Sequence, residues 1–214
     1  MSIAEKLETV AENQEKVFEA GKQAEYDAFW DELQNHGNAK GYAQAFAYYM
    51  WNDKTYNPKY PFKIEGCNQM FANNTSITDT KVPLDFRGNK GQIFYVFENA
   101  TNLVTIRTII LDSQTQSFSR WFNNCTSLQN ITFEGVIGKS IDFSYSPLSV
   151  DSMINVISHL ADYSDKNSEN YKKYTVKFSD SCWEALENSG RSTIEVVPYE
   201  MTWKEVCDYR GWNT

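Results

Sequence analysis

The sequence predicts an α+β protein, in which a long N-terminal helix is followed by a short solenoid of repeats and an α/β cap. Three observations support this prediction. Residues 1–33 are rich in helix-forming residues, three similar octapeptides recur in the middle, and helix and strand patterns alternate after them. The predicted domains are a helical coiled-coil stalk at 1–36, a helical and aromatic N-terminal cap at 37–62, a repeat solenoid at 63–148 and an α/β C-terminal cap at 149–214.

Residues 1–33 carry most of the charge of the chain. They hold nine acidic residues and three lysines, a net charge of −6, whereas the rest of the chain carries −2. Apolar residues recur there at the 3-4 spacing of a heptad, which is typical of a coiled-coil seam. We expect Ile3, Leu7, Val10 and Val17 to carry self-association as a homo-oligomer, with a trimer favoured because polar Gln14 lies in the seam. A single amphipathic helix packed on its own domain is the alternative.

Residues 41–51 show a second helical pattern, in which aromatic residues such as Tyr42, Phe46 and Tyr49 recur at 3-4 spacing. We expect this stretch to cap the domain that follows it. An exposed platform for a ligand is the alternative, although aromatic side chains are more often buried.

The middle of the chain contains an internal repeat. Residues 70–77, 96–103 and 121–128 share an aromatic residue, an asparagine, a threonine and a final Ile or Leu, and their starting positions are almost evenly spaced. This spacing, followed each time by a β-prone stretch, is typical of a leucine-rich solenoid. We expect Phe71, Phe97 and Phe122 to pack inward. The asparagines and threonines between them are interpreted as turn residues that bond to neighbouring coils, although they also create sequons such as Asn99-Ala100-Thr101.

The pattern of the region after the repeats predicts an α/β cap. Ser149 is positioned to N-cap a helix with Met153 and Ile157 on its apolar face, and Thr202 begins a capping box with Glu205. Between them we predict a strand at 174–178, a helix at 181–187 and a strand at 193–197. Trp183, Trp203 and Trp212 are expected to anchor this cap, with a tryptophan ligand site as the alternative.

The repeats resemble the BspA-like branch of leucine-rich repeats. Residues 2–21 (SIAEKLETVAENQEKVFEAG), residues 135–148 and the pair Gly211-Trp212 also resemble phage and prophage structural proteins of low-GC gut bacteria. That resemblance implies a virion protein, made in the bacterial cytoplasm, whose partners are copies of itself, other virion proteins, and a host cell-surface protein or glycan.

Composition excludes several classes of function. A net charge of −8 disfavours nucleic-acid binding, and no apolar run approaches the about 20 residues of a membrane span. The first ten residues show no signal-peptide pattern, so we expect the four cysteines to be buried free thiols. No catalytic, metal-binding or cofactor motif is present, and no cofactor is expected. A nucleophilic pair of Cys125 or Cys182 with His159 is the enzymatic alternative, although any chain with four cysteines and two histidines allows such a pairing.

The sequence therefore predicts a non-enzymatic structural and adhesion protein of a phage particle, in its tail, baseplate or head. It would oligomerise through its first segment and display the repeat domain to a host surface, since extended repeat surfaces suit recognition and multivalency raises avidity. The alternative is a BspA-like bacterial surface adhesin or interaction module. No ligand-binding residue can be named at this stage, because displayed and buried aromatic residues look alike in sequence.

Overall fold

Two compact units, Met1–His36 and Gly37–Thr214, make up the chain. The computed structural model describes residues 21, 24, 56, 58, 62–64, 68–88, 93–112, 117–194 and 196–214. Of the first unit it describes Gly21 and Ala24, which are both helical and exposed. The rest of the predicted N-terminal helix and the aromatic stretch 41–51 lie outside the described residues.

Four short parallel strands form the first sheet of the second unit. They are β1 (Phe62–Lys63), β2 (Leu84–Asp85), β3 (Thr105–Ile110) and β4 (Asn130–Glu134). The strands lie side by side in chain order, with the register shifting once within β3. Each pair of neighbours is joined by a crossover of about 20 residues, because parallel strands cannot be linked by a tight hairpin.

The repeat phenylalanines stack on one another inside this unit. The ring centroids of Phe71 and Phe97 lie 5.2 Å apart, and those of Phe97 and Phe122 lie 5.8 Å apart. The stack continues through Phe143 and Phe178, at 4.4 and 5.9 Å. All five residues are buried, as the sequence indicated for the first three. Near-parallel rings at these separations add stability beyond the area that they bury.

A second ladder, of asparagines, runs beside the rings. Asn73, Asn99 and Asn124 each have a φ of 58°, a left-handed conformation that asparagine tolerates better than most residues. The Nδ2 atom of Asn99 donates to Oδ1 of Asn73 at 2.9 Å, and Nδ2 of Asn124 donates to Oδ1 of Asn99 at 3.1 Å. These side chains therefore hold the turns of neighbouring repeats together, which supports their interpretation as structural residues.

Helix α1 (Val150–Ser158) covers the free edge of β4. The hydroxyl of Ser152 accepts a hydrogen bond from the Ile131 amide at 2.9 Å, and Oδ1 of Asn155 accepts one from the Phe133 amide at 2.7 Å. A fifth strand would need the same two amide groups. Because helix side chains already satisfy them, the four-stranded sheet ends at β4.

The remaining elements form a separate small sheet and two helices. Strand β5 (Ile141–Phe143) pairs in parallel with β6 (Val176–Phe178). Helix α2 (Asp180–Glu187) follows β6 directly, and α3 (Trp203–Tyr209) lies near the C-terminal end.

Side-chain caps begin helices α1, α2 and α3. The hydroxyls of Ser149, Ser179 and Thr202 accept hydrogen bonds from the amides three positions later, and Glu205 completes the capping box that the sequence predicted. The burial of Trp183, Trp203 and Trp212 agrees with their predicted role as anchors.

The strand predicted at 193–197 is wrong. Residues 193, 194, 196 and 197 form turns and bends, and Thr193 is buried. The Thr193 hydroxyl accepts a hydrogen bond from the Met201 amide at 3.0 Å and lies 3.2 Å from the Tyr199 carbonyl oxygen. A threonine that bonds to nearby backbone groups favours a turn over a strand.

The predicted fold class is also corrected. The described part of residues 37–214 contains three short helices, of nine, eight and seven residues, and two small parallel sheets of four and two strands. These elements do not match the predicted fold class. That class was a long N-terminal helix, one solenoid and a separate α/β cap. Among the described residues the first sheet does not continue beyond β4, because α1 occupies the edge of that strand. Strand β5 pairs instead with β6, which the prediction assigned to the cap.

Candidate interaction surface

The outward side chains of β3 and β4, with their neighbours on β2 and before it, form a polar surface of exposed and half-exposed side chains. Side chains of a strand alternate between its two faces, and in β4 the residues alternate between exposed and buried. In β3 the register shifts between Ile106 and Ile109, and the consecutive residues Arg107 and Thr108 both belong to the solvent side. We call this the strand surface. Its members are Asp79, Asp85, Thr105, Arg107, Thr108, Asn130, Thr132 and Glu134.

Arg107 occupies the middle of the strand surface and is held by Asp79. Its Nη2 atom lies 2.5 Å from Oδ2 of Asp79, and its Nε lies 3.0 Å from Oδ1. A paired contact of this kind fixes the plane of the guanidinium group. The Arg107 side chain is still 55% exposed. One edge of the guanidinium is therefore held in place while much of the side chain faces solvent.

Thr132 continues the surface onto β4. Its hydroxyl donates to the Arg107 carbonyl oxygen and lies 3.0 Å from the hydroxyl of Thr108. These contacts join β3 to β4 on the solvent side, in addition to the backbone ladder. Cross-strand threonine pairs stabilise a sheet by about 0.2–1 kcal/mol.

A second arginine–aspartate pair lies at the end of β2. The Nε and Nη2 atoms of Arg87 lie 2.9 and 2.7 Å from the two carboxylate oxygens of Asp85. The hydrogen bond to Asp85 raises the pKa of Arg87 from its ordinary value. The two arginine–aspartate pairs therefore present both signs of charge in fixed positions, and Glu134 adds an exposed negative charge. Such an arrangement is chemically suited to binding a polar partner through directed hydrogen bonds.

The four predicted self-association residues, Ile3, Leu7, Val10 and Val17, lie outside the described residues. Their role stays a prediction. The strand surface was not predicted residue by residue. The alternation in 130–134 was a signal that could have placed Thr132 outward. The pairing of Arg107 with Asp79 joins residues 28 positions apart, and no local pattern indicates it.

The three described cysteines are buried free thiols, as predicted, while Cys67 lies outside the described residues. Burial raises the pKa of Cys125 and of Cys207 to about 12. The Sγ atom of Cys125 lies 3.1 Å from the Phe97 carbonyl oxygen, to which it donates. A thiol with such a pKa is protonated at neutral pH and is a poor nucleophile.

The other members of the possible Cys–His pair also bond to backbone groups. The thiol of Cys182 donates to the carbonyl oxygens of Ser146 and Leu148, at 3.5 and 3.8 Å. The Nδ1 atom of His159 lies 2.7 Å from the Asn155 carbonyl oxygen, at the C-terminal end of α1. These contacts give all three residues a structural role and do not favour a nucleophilic pair.

Searches for known relatives found no match among protein-family models, curated proteins or solved structures. Within the described residues, no group of three or more His, Cys, Asp or Glu side chains is arranged to hold a metal ion. In that same part of the chain, no helix has both the length and the apolar character needed to cross a bilayer.

Proposed function

We propose that this chain is a non-enzymatic structural and adhesion protein of a phage or prophage particle. Residues 1–36 join copies of the chain, as a homotrimer, and the unit 37–214 contacts a host-surface protein or glycan. The observation that carries the binding role is the strand surface, where Arg107 is exposed and is held in position by the partly buried Asp79. The particle role follows from the resemblance of residues 2–21 and 135–148 to phage structural proteins.

Two features support binding in preference to thiol chemistry. The strand surface is polar, and contacts between its members order Arg107 with Asp79 and Thr108 with Thr132. Ordered side chains lose less conformational entropy when a partner binds. The thiols of Cys125 and Cys207, in contrast, are buried and have a pKa of about 12, so they are uncharged at neutral pH.

Self-association supplies the second half of the proposal. Weak contacts at a host surface become effective when several copies are joined, because the second contact is then intramolecular. The heptad positions Ile3, Leu7, Val10 and Val17 are the residues proposed to join the copies. The acidic charge of residues 1–33 is placed on the remaining positions, where repulsion would select partner and register.

The first experiment measures the solution mass of the full chain by light scattering. A trimer is expected for the natural sequence, and a monomer for Leu7→Lys, which places a charge in the proposed seam. The matched control is Asn13→Lys, which adds the same charge outside the seam and should stay trimeric. A natural chain that stays monomeric at tens of micromolar would contradict the proposal of self-association.

The second experiment tests the particle and adhesion roles. An antibody against the chain should detect it in particles purified after prophage induction, and the full chain should bind host cells. The variant Arg107→Ala should bind the cells more weakly, whereas Arg191→Ala, which changes an arginine outside the strand surface, should not. Detection of the chain on the bacterial cell surface, and not in particles, would favour a surface adhesin instead.

A further inference from the structure

A cleft separate from the strand surface lies between the turn at 118–120 and the β5–β6 sheet. Its volume is about 290 Å³. Phe118 and Ile141 supply apolar atoms to its wall, and both are almost fully buried. The polar residues around it are Ser119, Arg120, Ser140, Asp142, Thr175 and Lys177.

The charged groups of the cleft are balanced by one another. The Nη2 atom of Arg120 lies 2.5 Å from Oε1 of Glu98, and its guanidinium lies 5.4 Å from the ring centroid of Tyr95. The Nζ atom of Lys177 lies 3.8 Å from Oδ2 of Asp142. Because each cation has an acidic neighbour, the cleft does not present the uncompensated charge that a free anion or cation would require.

The cleft also offers both hydrogen-bond donors and acceptors. Oδ1 of Asp142 already accepts from the Ser144 amide and hydroxyl, whereas Oδ2 faces Lys177 at the longer distance of 3.8 Å. The Ser140 hydroxyl accepts from the Thr175 amide at 3.0 Å, which leaves its own hydrogen able to donate. A ligand with neighbouring hydroxyl groups could use both kinds of group at once.

We propose that this cleft binds one unit of a neutral saccharide. Each sugar hydroxyl both donates and accepts, which matches the alternation of Lys177, Asp142 and Ser140 around the opening. Phe118 and Ile141 expose little surface at the base of the cleft, so hydrogen bonds to the sugar hydroxyls would supply most of the binding. The volume lies near the lower end of the range for ligand sites, about 300–1,000 Å³, and therefore fits a small ligand. The inference concerns residues outside the strand surface and does not depend on a particle role.

The test is saturation-transfer NMR of the full chain with methyl glucoside, methyl galactoside and N-acetylglucosamine as probes. Binding of at least one of these sugars is expected, with a dissociation constant of about 1–10 mM for a site of this size. Glucuronic acid and glycerol phosphate are the anionic comparisons. No signal from any neutral sugar, or a signal only from the anionic compounds, would overturn the proposal.

Two variants locate the binding in the cleft. Lys177→Met keeps the stem of the side chain and removes its charge, and Asp142→Asn keeps an oxygen that accepts from Ser144. Each should weaken sugar binding about tenfold, the loss expected for one charge-assisted hydrogen bond. Arg191→Met and Asp151→Asn are the matched controls, since that exposed ion pair does not line the cleft. Equal binding by the cleft and control variants would contradict the assignment, and circular dichroism checks that all four fold.

Discussion

Asn99 donates a hydrogen bond from its Nδ2 atom to Oδ1 of Asn73, which lies 26 positions earlier, over a distance of 2.9 Å. The two residues hold the same place in successive repeats and share the same left-handed φ of 58°. One residue type therefore serves two purposes, since it adopts the turn conformation and bonds to the neighbouring turn. The left-handed conformation and the bond to the neighbouring turn recur in each repeat, which accounts for the asparagine at this position in all three octapeptides.

Asn99→Ala should lower the free energy of unfolding by about 2–4 kcal/mol, since it removes two side-chain hydrogen bonds and places a Cβ-bearing residue in a left-handed turn without compensation. Asn99→Gly separates the two effects, because glycine accepts the φ but loses the ladder. Urea unfolding should rank the natural chain above Asn99→Gly, and Asn99→Gly above Asn99→Ala. Equal stability of the natural chain and both variants would show that the ladder contributes nothing.

Phe97→Ala should destabilise the chain by about 3–5 kcal/mol, because the ring is fully buried between Phe71 and Phe122 and its loss opens a cavity. Tyr145→Ala is the control, since the Tyr145 side chain is 58% exposed. This substitution should lower the free energy of unfolding by less than about 0.5 kcal/mol. Thermal unfolding followed by near-ultraviolet circular dichroism measures both. If the two substitutions lowered the free energy of unfolding by similar amounts, the aromatic stack would not be a main contributor to stability.

Removing the helix side chains that cover β4 should expose its edge. Asn155→Leu leaves the Phe133 amide without its acceptor and should cost about 1–3 kcal/mol. The control is Ser158→Ala, in which the lost hydroxyl bonds to a carbonyl of its own helix. Hydrogen exchange should show a faster rate at the Phe133 amide in Asn155→Leu and an unchanged rate in the control. Unchanged protection in both variants would mean that another acceptor covers the edge.

Glycine is required at 211 and not at 190, although both have a positive φ. A Cβ atom at Gly211 would meet the Tyr163 carbonyl oxygen at 2.2 Å, whereas one at Gly190 has nothing within 4 Å. Gly190→Ala should therefore lower the free energy of unfolding only by the penalty for a left-handed alanine, about 1–2 kcal/mol. Gly211→Ala should lower it further, because the added Cβ atom also clashes with the Tyr163 carbonyl oxygen. Chemical unfolding of the two variants gives the comparison. A smaller loss at position 211 than at 190 would contradict this close approach.

Stability should fall in alkaline solution because of the buried thiols. Burial raises the pKa of Cys125 and Cys207 from the ordinary value of 9.0 to about 12. Between these values the unfolded chain loses thiol protons that the folded chain retains, so the free energy of unfolding decreases as the pH rises. Below pH 9 the two thiols should cause no such slope. The double variant Cys125→Ala, Cys207→Ala should show a shallower decline between pH 9 and pH 11 than the natural chain. An identical slope would contradict the buried state of the thiols.

The sequence by itself determined the features that depend on near neighbours and on repetition. The nearly even spacing of the three octapeptides identified Phe71, Phe97 and Phe122 as buried residues, because a repeated aromatic position must face a shared core. The capping residues Ser149 and Thr202 were also identified, since a cap depends on residues within one helical turn. These signals are local, and the tertiary structure did not change them.

Only the tertiary structure decided which elements lie beside one another. The pairing of β5 with β6, the cover that Asn155 provides for β4 and the contact between Arg107 and Asp79 each join residues 22 or more positions apart. The error in the predicted fold class arose there, since the repeat pattern predicted one stack of strands and the side chains of α1 end it at β4. A backbone amide bonds equally well to a strand carbonyl or to a side-chain oxygen. Tertiary packing decides which of these two oxygens lies within reach of the amide. No local pattern in the sequence contains that information.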